Sequence, residues 1–172
     1  MNQKITKHED TLYNNIILLA RNKIFYTKFG LSDTFANRIH LIFLHISFIF
    51  IKIKQEKGIK IYDTFYQKMF DLIFLKIESN MREIGYGDVS VNKNMKILVK
   101  NFYNILLDCE KYDRNSLDSK KKFLDNYLKS ISGKNPVINA DLVNYFDKYH
   151  SFCIDLTPDS VLSGELNFNY NK

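Results

Sequence analysis

The chain has 172 residues, 45% of them hydrophobic, which is enough to bury a core and excludes a disordered protein. Its net charge of +6 favours anionic partners, and two cysteines are too few for a disulfide framework. Only six glycines and two prolines break a chain with 14 Phe and 11 Tyr, so long helices with aromatic faces are expected.

Residues 1–11 are polar and lack the apolar segment of a secretory signal. A first helix is predicted over residues 10–22, with Leu12, Ile16 and Leu19 on one face. A short aromatic piece, residues 24–29, stops at Gly30. The second helix begins after Ser32 or Asp33 and runs to about Glu56. Its stretch over 39–53 is apolar nearly all round, falls short of the ~20 residues that span a bilayer, and contains His40, His45, Ser47 and Lys52. It reads as a buried central helix, with an interfacial helix as the sharper alternative. The expected location is the cytoplasm or an organellar matrix, with no secretion and no transmembrane helix.

Gly58 separates the third helix, whose stripe is Tyr62, Phe65, Met69, Ile73, Ile77, Met81 and Ile84. Next comes Arg82-Glu-Ile-Gly-Tyr-Gly-Asp-Val-Ser-Val-Asn-Lys93. Gly85 stands where a helix end wants a residue tolerant of positive φ, and Asp88 or Ser90 can cap the helix that follows. The fourth helix, residues 92–111, puts Met95, Leu98, Val99, Phe102, Leu106 and Cys109 on one face and Lys93, Lys96 and Lys100 on the other. A fifth covers residues 117–131 and ends near Gly133. Pro136 and Asn139 open the sixth, which carries Ile138, Leu142, Phe146, Tyr149 and Cys153 and runs to about Leu156, before Pro158. Residues 159–172 read as an irregular tail or a short docking piece. The expected fold is all-α: a compact single domain of about six helices with a central hydrophobic helix.

Catalytic patterns are sparse. Cys109 and Cys153 sit on apolar stripes and read as small core residues rather than a redox pair. His40 and His45 are five apart and cannot ligate one metal as an i,i+4 pair. His45, inside an apolar run, reads as a core histidine donating to a carbonyl or carboxylate rather than a haem or metal ligand. There is no phosphate loop, nucleophile elbow or CxxC. Glu78 and Arg82 form a plain i,i+4 pair, although Arg82 could instead tie the glycine turn to a neighbouring helix. Backbone N–H groups of Gly85-Tyr86-Gly87 could approach a phosphate, but no Gly-Lys-Ser/Thr continuation follows and the structural reading is preferred. Basic residues outnumber acidic ones by 23 to 14 over residues 1–140, and the ratio reverses to 2 against 5 over 141–172. Besides Lys93, Lys96 and Lys100, lysines cluster at Lys52, Lys54, Lys57 and Lys60 and at Lys120 to Lys122. They read as solvated faces or as a footprint for ribosomal RNA or anionic lipid.

The glycine segment resembles the hallmark of the ubiquinol–cytochrome c chaperone family, assembly factors of respiratory complex III. The matching residues are Phe70, Asp71, Met81, Arg82, Glu83, Gly85, Gly87, Asp88, Ser90, Val91, Lys93, Phe102 and Tyr103. Leu12-Tyr13-Asn14, Phe25-Tyr26, Asp33-Thr34, Arg38 and Leu44-His45 also fit. The likeness spans residues 12–112, with an echo at Leu162-Ser163-Gly164 and a weaker match over 113–172.

The resemblance implies a non-enzymatic chaperone that binds newly made cytochrome b near the ribosome exit and needs no cofactor. It also implies a second assembly factor, which organellar members use. Candidate partner-binding residues are Lys93, Lys96, Lys100, Arg82, Tyr86 and Asp88; His45, Asp71, Gly85, Gly87 and Ser90 are read as motif residues with structural roles. Competing readings are a basic helical module for RNA or a membrane surface, and a small haem-handling helical protein.

Overall fold

The computed structural model describes residues 7–55, 60–131 and 139–170. In chain order the helices are α1 (Lys7–Ala20), α2 (Ile24–Thr27), α3 (Phe35–Lys54), α4 (Lys60–Glu83) and α5 (Asp88–Cys109), then a 3-10 turn (Tyr112–Arg114), α6 (Leu117–Tyr127), α7 (Ala140–Asp155) and α8 (Pro158–Ser163). Among the described residues no strand forms, and a lone bridge pairs Leu31 with Ser130. The fold is all-α, as the periodicity predicts.

The central element is α3. Every residue from Leu41 to Phe50 is buried, because α1, α4, α5, α7 and α8 all pack around it. Its 20 residues give it the length and apolarity of a membrane span, longer than the 39–53 run read from sequence. Burial accounts for that apolarity, since a helix enclosed on every side has no polar face to present. Thr34 caps α3, its hydroxyl accepting from the Asn37 N–H at 3.2 Å, one residue beyond the caps read from sequence. On α4, Phe65, Met69, Ile73, Ile77 and Met81 are buried as one stripe.

Several expected boundaries move. α1 begins at Lys7, where Glu9 is buried beside Lys68 of α4 at 3.6 Å, and ends at Ala20. α5 begins at Asp88 rather than at residue 92, because the carbonyl of Gly87 already accepts from the Val91 N–H at 2.9 Å. Asp88 and Ser90 therefore lie inside the helix and neither caps it. α6 ends at Tyr127, four residues early. The chain then runs extended because Asn37 holds it: the Asn37 amide donates to the carbonyls of Ser32 and Lys129 at 2.7 and 2.8 Å, and its oxygen accepts from the Lys129 N–H at 2.9 Å.

The C-terminal stretch is not an irregular tail. Thr157 caps α8 through the Ser160 N–H, and Pro158 occupies its first turn, where a missing N–H costs nothing. Gly164 ends it at φ 83, and a Cβ there would sit 2.7 Å from the carbonyl of His8, so only glycine lets α8 close onto α1. Beyond it Leu166 is buried, and Phe168 packs its ring 5.5 and 5.1 Å from Tyr145 and Tyr149. Glu56, Lys57, Gly58, Gly133, Pro136 and Ile138, which carry some of the sequence expectations, lie outside the described residues.

Candidate functional site

The α4–α5 connection is a Schellman turn. Gly85 adopts φ +96, its N–H donates to the Arg82 carbonyl at 3.0 Å, and the Tyr86 N–H reaches back to Met81 at 3.0 Å. The second glycine differs: Gly87 has φ −71 and ψ 159, an extended conformation open to any residue, with nothing within 4 Å of an added Cβ. Arg82 locks the turn from outside. Its guanidinium donates to Glu78 one turn back at 2.9 Å and to Asp88 at the start of α5. These partners, Asp88 foremost, hold Arg82 still more firmly protonated. Arg82 thus ties the glycine turn to its neighbouring helix, as well as making the plain i,i+4 pair.

A fixed backbone here turns apolar side chains outward. Ile84, expected on the buried stripe, follows the last residue of α4 and is 57% exposed. Tyr86 is 41% exposed, with its ring 6.5 Å from Phe35 at the start of α3. Beside them opens a cleft of about 190 Å³ lined by Ile17 and Ala20 of α1, Phe35, Ile39 and Ile42 of α3, and Ile84. Arg21, Arg38, Asn80 and Glu83 form its polar wall. Arg38 is pinned by a two-pronged bond to Asp33 at 2.7 and 2.8 Å, and this bond draws the Asp33 carboxyl below its ordinary range.

The candidates from sequence do not converge on one place. Arg82, Tyr86, Asp88 and both glycines meet at the turn. Ser90 is exposed in the first turn of α5, its carbonyl accepting from Asn94 at 2.9 Å. Lys93, Lys96 and Lys100 are exposed further along α5. Asp71 is on the surface of α4, accepting from Gln67 at 2.8 Å. His45 is remote from all of these, fully buried: Nδ1 meets the Leu41 carbonyl at 2.6 Å and Nε2 meets the Tyr145 hydroxyl at 2.8 Å. The carbonyl can only accept, so Nδ1 carries the proton and Nε2 accepts from Tyr145. Both ring nitrogens of His45 are thus engaged within the core. Cys109 and Cys153 are free and buried, and burial pushes both thiols up. Among the described residues, no group of three or more His, Cys, Asp or Glu is placed to hold a metal ion.

Phe35 and Ile17 escaped the sequence reading. Phe35, Ile39 and Ile42 do share the spacing of one face, but α3 is apolar on every face and the signal is lost in it. Ile17 joins them only through tertiary packing.

The sequence model of a family described as ubiquinol-cytochrome C chaperone matches residues 27–168. The crystal structure of the Cbp3 homolog from Brucella abortus superimposes with a TM-score of 0.79 at 23% identity, covering 94% of this chain and 88% of that one. That likeness is one of fold. No curated protein matches the sequence.

Proposed function

The chain belongs to the ubiquinol-cytochrome C chaperone family, and we propose that it is a non-enzymatic assembly chaperone of the ubiquinol–cytochrome c reductase complex whose client is newly made cytochrome b. The observation that carries this reading is the apolar surface at the α4–α5 turn. Ile84 and Tyr86 project from a backbone held by Gly85 and Arg82, beside a cleft walled by Ile17 and Phe35. A client from the membrane offers apolar helices before they find their final neighbours. Each large side chain buried against such a helix contributes roughly 1.5–3 kcal/mol. A rigid platform loses little conformational entropy on binding, which favours reversible holding by few contacts. Asp88 and Arg82 act by holding the platform, and Tyr86 by touching the client.

The test is capture of newly synthesised cytochrome b by the tagged chain. An Ile84→Ser, Tyr86→Ala variant that melts like the parent should capture far less. A parent that captures none removes the client assignment; a variant that captures as well as the parent removes this surface from the reading. A second assembly factor belongs to the same proposal, and its co-purification with the chain is the corresponding check.

A further inference from the structure

The outer face of α5 carries a second pattern that a client platform does not use. Residues 89, 93, 96, 100, 103 and 107 recur at spacings of four and three, so they form one stripe about 27 Å long. Three lysines, Lys93, Lys96 and Lys100, stand in the middle, with Val89 at one end and Tyr103 and Leu107 at the other. Val89 is 83% exposed, Leu107 57% and Tyr103 44%, which are high values for apolar and aromatic side chains. Several other cations have carboxylate partners: Lys54 pairs with Glu110, Lys68 with Glu9, Lys120 with Asp147 and Arg82 with Glu78 and Asp88. Among the described residues, the three lysines of the stripe have no carboxylate partner. The acids of α5 lie off the stripe, Asp88 bonded to Arg82 and Asp108 accepting from the Tyr127 hydroxyl at 3.2 Å.

We infer that this face docks the protein onto an anionic phospholipid bilayer. The charge complement is direct, because ammonium groups without internal partners attract phosphate headgroups. The apolar members decide between lipid and nucleic acid. A sugar–phosphate backbone offers Val89 and Leu107 nothing to enter, whereas a headgroup layer accepts aliphatic side chains among its acyl chains and a tyrosine at its boundary. The surface lies on α5 itself, so it does not depend on which client the turn holds.

The experiment is sedimentation of the full chain with vesicles of phosphatidylcholine alone and of phosphatidylcholine mixed with phosphatidylglycerol, at low and high salt. The parent should pellet with the mixed vesicles and stay in solution with the neutral ones. Lys93→Gln, Lys96→Gln and Lys100→Gln together should lower partitioning on the order of a hundredfold, about fivefold per lysine. Val89→Ser with Leu107→Ser should weaken binding even at high salt, where charge is screened. Both variants should melt like the parent, because every changed side chain is exposed. Equal pelleting with both vesicles, or a lysine variant that pellets as well as the parent, overturns the inference. So does an aliphatic variant that binds like the parent at every salt concentration, since the contact is then electrostatic only. So does a parent that ignores vesicles but binds a structured RNA through the same lysines.

Discussion

The Tyr145 hydroxyl donates to Nε2 of His45 at 2.8 Å, joining the centre of α3 to α7 inside the aromatic core. Phe25, Phe146 and Tyr149 surround the imidazole, with ring centroids at 6.0, 5.5 and 4.7 Å. In that setting a charged imidazolium has lost its water and would face a hydroxyl that must turn its proton away. Burial holds the pKa of His45 down at about 4, against the usual 6.5, and the bond to the Leu41 carbonyl offsets only part of that effect.

Acid stability follows from this. The unfolded chain takes up the His45 proton more readily than the folded one, so the contribution is complete above the usual 6.5 and is lost as pH falls toward about 4. At full extent it is roughly 3 kcal/mol. His40 and His150, also depressed by burial, act in the same direction. Urea midpoints of the parent should fall steeply across this window. His45→Gln should be less stable at neutral pH but show a visibly flatter slope. An unchanged slope would mean that His45 does not titrate as its burial requires.

The two glycines of the motif should respond in opposite directions. Gly85→Ala places a Cβ at φ +96 and should cost about 1–2 kcal/mol. Gly87→Ser keeps an allowed backbone at the N-cap of α5 and supplies the missing side-chain acceptor, so it should be neutral or stabilising by a few tenths of a kcal/mol. Thermal melts of the two variants settle the comparison, and equal losses would remove the distinction.

That contrast also marks the reach of sequence reading. Gly85-Tyr86-Gly87 looks symmetrical as letters, and only the backbone separates a left-handed glycine from one that stands at an N-cap. The long helices were legible because breakers are rare and the stripe Phe65, Met69, Ile73, Ile77, Met81 is a plain 3.6-residue period. α8 was not, although Thr157, Pro158 and Gly164 are its cap, first turn and stop; its six residues are too few to show a period. At the site, Arg82 was readable from the family motif, whereas Tyr86 fills the unspecified position between its two glycines. The cleft was not readable, because Ile17 of α1, Phe35 of α3 and Ile84 after α4 lie apart in the chain and meet only after folding.

Asn37 illustrates a buried polar residue that no pattern announces. It is 1% exposed and satisfies three backbone groups at once, at Ser32 and Lys129. Asn37→Ala should therefore cost about 2 kcal/mol, because the Lys129 N–H loses its acceptor near the core, whereas the Ser32 and Lys129 carbonyls still accept from the Thr34 and Ser32 N–H groups. Hydrogen exchange should accelerate most at Lys129, whose N–H loses its acceptor. Exchange that stays slow there would show that the α6 exit is held by the Leu31–Ser130 bridge instead.

The C-terminal aromatics should prove structural rather than ornamental. Phe168 lies against Tyr145, Tyr149 and Phe152 with centroids at 5.5, 5.1 and 5.3 Å, and is partly buried by them. Full burial of a Phe is worth about 3–5 kcal/mol on truncation to Ala, so a half-covered ring should give about 2 kcal/mol. The exposed neighbour Asn167 should tolerate Ala within about 0.5 kcal/mol. Because Phe168 covers the two tyrosines that bond to His45, Phe168→Ala should also admit water toward the imidazole and make the acid slope shallower. Urea unfolding of Phe168→Ala and Asn167→Ala at pH 7 and pH 5 tests both points. Matching midpoints for the two variants would mean that the segment after Gly164 contributes nothing to the fold.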